Sequence, residues 1–327
     1  MKTFSMSAAI AEPFRLAFKR PMMTIAWGLV LLAPALIVVG AMAPFFGEVF
    51  TSGAFGHTAP GGETDPELSP AAFAAMIQFQ LWNVLANLVQ LVGAVMVTAA
   101  CIRAVFAGRH GDGSAFLRLG MGEVYVALMC VIALIIAMFA GLALVIVGVG
   151  AAFGLSQLGD PWRWLIGLGL FGAALVAFLL LCGRLALLAP ASIRYKRFAF
   201  EEGWRLGAGQ TWKLLGLMLL LCLVAIAVGV VVIVGFVLVI ALVGGGFQIF
   251  ADPAVFEDEA AVQAWFQQQW AHPWPLIAAG VVLLLPLAWL QGFSQALFTA
   301  PYARAVMDLS AEAEATPIST DTAPTPE

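Results

Sequence analysis

Six stretches of this chain are too long, too apolar and too free of charge to be hidden inside a water-soluble protein. They run roughly over Met22–Phe46, Ala75–Phe106, Val124–Phe153, Trp164–Ala189, Leu214–Gly244 and Leu276–Val306. About 20 such residues are enough to cross the hydrocarbon of a bilayer as a helix. No Asp, Glu, Lys, Arg or His falls in the middle third of any of them. Of the 327 residues 62% are hydrophobic and 10% charged, whereas a soluble domain carries about 25% charged residues. The expected fold is therefore all-α and integral to a membrane, with six spans in one domain over residues 1–309. Tilt would absorb the excess length of the longer spans. Gly148 with Gly150, and Gly244 to Gly246, are expected to end the third and fifth spans early. Pairs of small residues, Gly150 with Gly154 and Gly169 with Ala173, suggest close helix packing. The tail, residues 310–327, is rich in Ala, Thr, Pro and acid and should be disordered.

Charge placement sets an expected orientation. Lys and Arg are retained on the cytoplasmic side of a membrane. Threading six spans from a cytoplasmic N-terminus puts fourteen of the fifteen basic residues on that side, with Arg163 the exception. The opposite loops, Gly47–Pro70 and Phe247–Pro275, hold no Lys or Arg and eight acids, among them Glu63, Asp65, Asp258 and Glu259. Both termini are then cytoplasmic. The basic start and the Ala41-Met42-Ala43 triplet imitate a signal peptide. The first apolar run is too long for one, however, and a proline follows the triplet, so an uncleaved span is expected. Trp162 and Trp164 mark one interface, and Trp204 and Trp212 the other. In Asp258–Ala271 the four-residue spacing of Val262, Phe266 and Trp270 predicts a short helix lying on the outer surface.

The odd-numbered spans are preceded by related elements, Phe14-Arg15-Leu16-Ala17, Leu117-Arg118-Leu119-Gly120 and Trp204-Arg205-Leu206-Gly207. The even-numbered spans end alike at Cys101-Ile102-Arg103, Cys182-Gly183-Arg184 and Tyr302-Ala303-Arg304. Three hairpin repeats, about 14–106, 117–189 and 204–306, are the expected organisation, arranged about a pseudo-threefold axis along the membrane normal. Between Cys182 and Leu221, Arg184-Leu185-Ala186-Leu187 with Pro190 is followed by Gly203-Trp204-Arg205-Leu206-Gly207 with Gly209. This R-L-A-L-x-x-P and G-W-R-L-G-x-G pair resembles bacterial integral membrane regions related to the membrane domain of glycerophosphodiester phosphodiesterases. The resemblance covers about forty residues and otherwise only the topology. It implies a polytopic protein of the bacterial inner (plasma) membrane. The paired histidines and metal-binding acids of the catalytic barrel have no counterpart, so no phosphodiesterase activity carries over.

Chemistry-bearing residues are sparse. His57, His110 and His272 belong to loops on different sides, so no metal site is expected, and no cofactor motif is present. Cys101, Cys130, Cys182 and Cys222 lie in or beside apolar runs and read as packing residues. The absence of a mid-span charge argues against an ion-coupled transporter. Two polar groups stand out. Gln80, Asn83, Asn87 and Gln90 share one face of the second span, and Gln291, Ser294 and Gln295 lie in the sixth. Gln90 and Gln291 each stand thirteen residues before a repeat arginine and are candidates to face one another. These seven either line a cavity or join helices by hydrogen bonds. The segment Arg194–Lys213 reads as a surface helix in which Arg194, Lys196, Arg197, Trp204 and Arg205 meet anionic headgroups or a protein partner. The chain is thus expected to be noncatalytic, interacting with lipid or scaffolding a partner. The alternative is a permease or passive pathway lined by the polar residues of spans two and six. Replacing Gln90 and Gln291 together by leucine separates the two roles. A packing role predicts a lower melting temperature in detergent, whereas a pathway role predicts folded protein that has lost flux or ligand binding.

Overall fold

A computed structural model describes residues 4–52, 70–107, 116–117, 120–155, 162–243 and 274–315. Every regular element among them is a helix. These are α1 (Met6–Lys19), α2 (Pro21–Ser52), α3 (Pro70–Ala107), α4 (Met121–Gly154), α5 (Trp162–Leu185), α6 (Leu188–Tyr195), α7 (Phe200–Leu206), α8 (Thr211–Val243) and α9 (Trp274–Ala315). Six segments are long and apolar enough to cross a membrane: Pro21–Ala41, Ile77–Ala107, Met121–Ala151, Trp164–Tyr195, Thr211–Gly235 and Gly280–Ala311. The shortest has 21 residues, which at about 1.5 Å per residue spans about 30 Å of hydrocarbon. Their outward residues include Leu168, Val231 and Val282, each 72% exposed. So much exposed apolar surface is untenable in water and natural in lipid. The chain is a multi-pass integral membrane protein.

The expected outer-surface helix at Asp258–Ala271, all three histidines, and Arg118 with Leu119 lie outside the described residues. Gly148 and Gly150 do not shorten the third span, because α4 continues through both to Gly154. The last helix likewise runs beyond Leu309 to Ala315, and residues 316–327 lie outside the described residues.

The residues divide into two compact units, one of residues 1–20, 95–223 and 294–327, the other of 21–94 and 224–293. In the first, α1 is an element that the apolar runs did not announce. Ser5 caps it, its hydroxyl accepting from the Ala8 amide at 3.4 Å. The helix stops at Arg20 because Pro21 disfavours helical backbone in the residue before it, while Pro21 itself suits the first position of α2. Its buried residues Ala9, Glu12, Pro13, Leu16 and Ala17 recur at helical spacing, so the helix packs one apolar face inward. Buried Glu12 is ion-paired with Arg15. Ile102 and Val105 of α3, Leu214, Leu217 and Leu221 of α8, and Leu297 of α9 are almost fully buried in the same unit.

In the second unit the governing feature is a close approach of two backbones. A Cβ added to Gly28 of α2 would lie 1.6 Å from the Ala288 carbonyl oxygen, and one on Gly292 would lie 2.0 Å from that of Thr24. Thr24 and Gly28 stand four residues apart on one helix, as do Ala288 and Gly292 on the other. This small-xxx-small spacing on both sides brings membrane helices together where lipid supplies no hydrophobic drive. Trp27 and Leu31 are buried alongside. By contrast Gly150 and Gly169, picked out by the same spacing, have open space where a Cβ would go. They make no close approach.

Gly28→Ala should therefore lower stability in detergent by about 1–3 kcal/mol, the usual cost of overpacking. Gly229→Ala in α8, where nothing lies within 4 Å, should be neutral or slightly stabilising through helix propensity. Thermal unfolding of the two variants side by side checks both.

Candidate functional site

The polar residues of α3 are largely self-satisfied or outward-facing. Gln80, Asn83 and Asn87 are exposed. Asn87 Nδ2 donates to the Asn83 carbonyl at 2.7 Å and to Asn83 Oδ1 at 3.1 Å, a bond within one turn of helix. Gln90 and Gln291 are both half-buried, and no hydrogen bond joins them among the described residues. Ser294 and Gln295 of α9 are half-buried too. Gln295 is the member that reaches another helix, its Nε2 donating to Thr98 Oγ1 of α3 at 2.8 Å.

Thr98 leads to a feature the sequence did not announce. It lies in the wall of a cleft of about 410 Å³ within the first unit, lined by parts of α3, α4, α5, α6 and α9. Alanines open the space, Ala133 and Ala137 from α4 with Ala186 and Ala189 from the α5–α6 junction. Ile102, Met129, Leu134 and Phe298 add apolar wall. The polar lining consists of Thr98, Thr299 and Tyr302 hydroxyls and the thiols of Cys130 and Cys182. Thr299 and Tyr302 are nearly buried, at 8% and 6% exposure. The sequence regularity that could have pointed here is that Thr98 and Thr299 each stand five residues before the arginine near the end of their span.

The cleft is bounded on one side by a break in the helix. α5 ends at Leu185, a turn at Ala186 and Leu187 follows, and α6 begins at Leu188. Leu187 donates to the Arg184 carbonyl at 3.2 Å, a shortened turn. Pro190 has no amide hydrogen, so the Ala186 carbonyl cannot receive its i+4 bond. Both residues lie in the cleft wall.

Beyond the cleft, the two halves of the sequence motif pack on each other. Arg184 Nε and Nη2 donate to Thr211 Oγ1 at 3.1 and 2.8 Å, and the guanidinium lies 5.2 Å from the Trp204 ring centroid. Trp204 stacks on Phe200, and both pack against Met129, Leu185 and Leu188. A Cβ at Gly203 would lie 2.9 Å from Leu188 Cδ2 and 3.1 Å from Leu188 Cα. One at Gly207 would meet Arg184 Cγ and Leu187 Cδ1 at 3.4 Å. Gly209 takes φ +79°, which glycine adopts without strain. Buried Ser192 donates to the Leu188 carbonyl at 3.0 Å and accepts from the Ala199 amide at 3.4 Å. The expected single surface helix over Arg194–Lys213 is therefore an elbow. α6 closes at Lys196 in left-handed backbone, α7 covers Phe200–Leu206, and α8 starts at Thr211.

Arg194, Lys196, Arg197 and Phe198 are exposed on this elbow. Arg197 is ion-paired with Glu202, and exposed Arg205 lies 3.7 Å from Glu201. Trp204, grouped with these residues by sequence, is half-buried against the core, whereas Phe198 and Trp212 are exposed. The corresponding arginines near the ends of α3 and of the sixth span find different partners. Arg103 is ion-paired with buried Glu123 and donates to the Phe116 carbonyl at 3.2 Å, while Arg304 pairs with Asp308 at 3.1 Å.

Among the described residues no group of three or more His, Cys, Asp or Glu is placed to hold a metal ion. No family model, no curated protein and no solved structure matches the chain.

The elbow geometry makes Gly203 its most sensitive position. Gly203→Val should force Leu188 aside and cost about 1–3 kcal/mol locally, seen as faster tryptic cleavage after Lys196 or Arg197. Glu201→Gln, which removes one exposed pair, should leave the cleavage rate nearly unchanged.

Proposed function

We propose that this chain is a noncatalytic protein of a bacterial inner membrane, with both termini cytoplasmic, whose elbow between α6 and α8 binds the headgroups of anionic lipids. The observation that carries this reading is the exposure of Arg194, Lys196, Arg197 and Phe198 together on a rigidly packed turn. The elbow joins the end of one spanning segment to the start of another, so it belongs at headgroup depth. Basic side chains there gain about 1 kcal/mol each from an anionic surface, and an aromatic ring favours the same depth. Glu201 and Glu202 offset part of that charge where they pair with Arg205 and Arg197.

The three-hairpin organisation and the resemblance to phosphodiesterase membrane domains belong to the same reading. The motif residues Arg184, Gly203, Trp204 and Gly207 pack together with Leu187 and Leu188. That gives them a structural reason to be present and supports a role in holding the elbow rather than in catalysis.

The test is a native mass spectrometry titration of the purified protein with phosphatidylglycerol and with phosphatidylcholine. The triple variant Arg194→Gln, Lys196→Gln, Arg197→Gln should weaken phosphatidylglycerol binding by on the order of tenfold to a hundredfold and leave phosphatidylcholine unaffected. Added salt should act in the same direction. An unchanged preference for the anionic lipid would overturn the reading and shift the elbow's role to docking a protein partner.

A further inference from the structure

We infer that the cleft between α3, α4, α5, α6 and α9 is a binding site for one acyl chain of a neighbouring glycerolipid, with the chain's ester carbonyl held by the hydroxyls in its wall. This goes beyond headgroup binding at the elbow and rests on different residues.

The surroundings select the occupant. Every lining residue belongs to a spanning segment, and Ile102, Ala186 and Tyr302 stand within two residues of Arg103, Arg184 and Arg304, so the cleft belongs near the arginine-bearing ends of the spans, where acyl chains meet their ester groups. Two of the lining residues, Leu134 at 67% and Phe298 at 45%, are exposed on the outside of the protein. The cleft therefore opens sideways, and lipid chains are the molecules at its mouth. Water bonded to the few hydroxyls would fill only part of the space and would leave most of the wall, which is alanine, leucine, isoleucine, methionine and phenylalanine, without a favourable neighbour. At about 410 Å³ the space is of the size of small-ligand pockets, and leaving it empty would forfeit the dispersion contacts of its lining. Because lipid is the solvent here, weak intrinsic affinity suffices for occupancy.

The polar groups specify more than an alkyl chain. The Tyr302 hydroxyl makes no hydrogen bond to another described residue, and Thr299 beside it is equally buried. Thr98 Oγ1 accepts from Gln295, which leaves its own hydroxyl hydrogen free to donate. Hydroxyl donors in an otherwise dry wall call for an acceptor that carries no charge. A lipid ester carbonyl is such an acceptor, attached to the chain that the alanine-lined space admits.

The experiment uses the full chain reconstituted in vesicles containing a phospholipid with a photoactivatable group on one acyl chain, in phosphatidylglycerol and phosphatidylcholine forms. After irradiation the labelled residues are mapped by peptide sequencing. Label is expected within Met129–Ala137 and Phe298–Tyr302, with either headgroup and at high salt, which separates this site from the elbow. The filling variant Ala133→Leu, Ala186→Leu should lower cleft labelling by about tenfold, the factor for roughly two methylenes of lost burial. Labelling at outward Leu142 and Val145 should stay unchanged. Tyr302→Phe should weaken the preference for an ester-linked over an ether-linked chain, and the triple variant Thr98→Val, Thr299→Val, Tyr302→Phe should remove it. Label confined to outward-facing residues, or cleft label unaffected by filling, would overturn the inference. An ester preference that survives in the triple variant Thr98→Val, Thr299→Val, Tyr302→Phe would overturn the carbonyl assignment. If the filling variant does not fold, the labelling map of the unaltered protein decides the question alone.

Discussion

A backbone amide in hydrocarbon has no water to fall back on, and that single constraint governs this chain. Each unpaired N–H or C=O there costs several kcal/mol, so a spanning segment must satisfy its own polar groups as a helix. The described spanning segments are continuous helix with one interruption, the turn at Ala186 and Leu187, and Pro34, Pro286 and Pro301 each remove one further ladder bond without breaking the helix. The interruption is repaired locally. Ala186 donates to Cys182 and Leu187 to Arg184, and Ala191 resumes the ladder by donating to Leu187. What Pro190 leaves unrepaired, the Ala186 carbonyl, lies in the wall of the cleft. The irregular backbone thus stands where the protein makes a cavity, the setting in which membrane proteins tolerate it.

Once the backbone is satisfied, association of the helices needs another source of energy, because lipid tails are as apolar as leucine. Two sources are visible. One is backbone proximity at Thr24, Gly28, Ala288 and Gly292, where the absent side chains let dispersion forces act over the main chain. The other is a handful of polar bonds between helices, Gln295 to Thr98 and Arg184 to Thr211 among them. Double-mutant cycles in membranes put such bonds near 0.6 kcal/mol, with some approaching 2. Close packing therefore bears more of the association, and the polar bonds fix register.

The six spans were legible because a run of 20 or more uncharged apolar residues is what a bilayer demands and what a water-facing surface forbids. Their packing was not legible. Small residues at four-residue spacing recur throughout a chain with 33 glycines, so spacing alone pointed to Gly150 and Gly169 as readily as to Gly28 and Gly292. Only the facing helix decides which approach is used. The short helix α1 escaped notice because its apolar face is brief, contains Pro13 and adjoins a much stronger signal. In the elbow, Gly203, Trp204 and Gly207 were visible as a motif, yet the reason for them lies at Arg184, Leu187 and Leu188, about twenty residues away. The alanines that open the cleft had no signature, since they stand on helices remote in sequence; the equal spacing of Thr98 and Thr299 from Arg103 and Arg304 was the one regularity that bore on it. Of the polar residues singled out in spans two and six, Gln295 alone bonds to a second helix among the described residues, and its partner Thr98 looked unremarkable.

The three arginines at the ends of the even-numbered spans show how a similar demand is met by different means. Each is half-buried, and a guanidinium removed from water needs hydrogen-bond acceptors or countercharge. Arg103 obtains a carboxylate from the start of the next spanning helix and Arg304 one from its own helix, a turn later. Arg184 obtains a neutral hydroxyl and the face of an indole. The first two charges are compensated locally; the third is held in place without being cancelled. Arg184 thus adds positive charge beside the Trp204 and Thr211 side of the elbow, at the spot where the chain leaves α5 for α6. An indole that both stacks on the core and receives the guanidinium couples that charge to the packing of α7. The geometry of the turn and its electrostatic character are therefore set by the same contact, and a change to either would be felt in both.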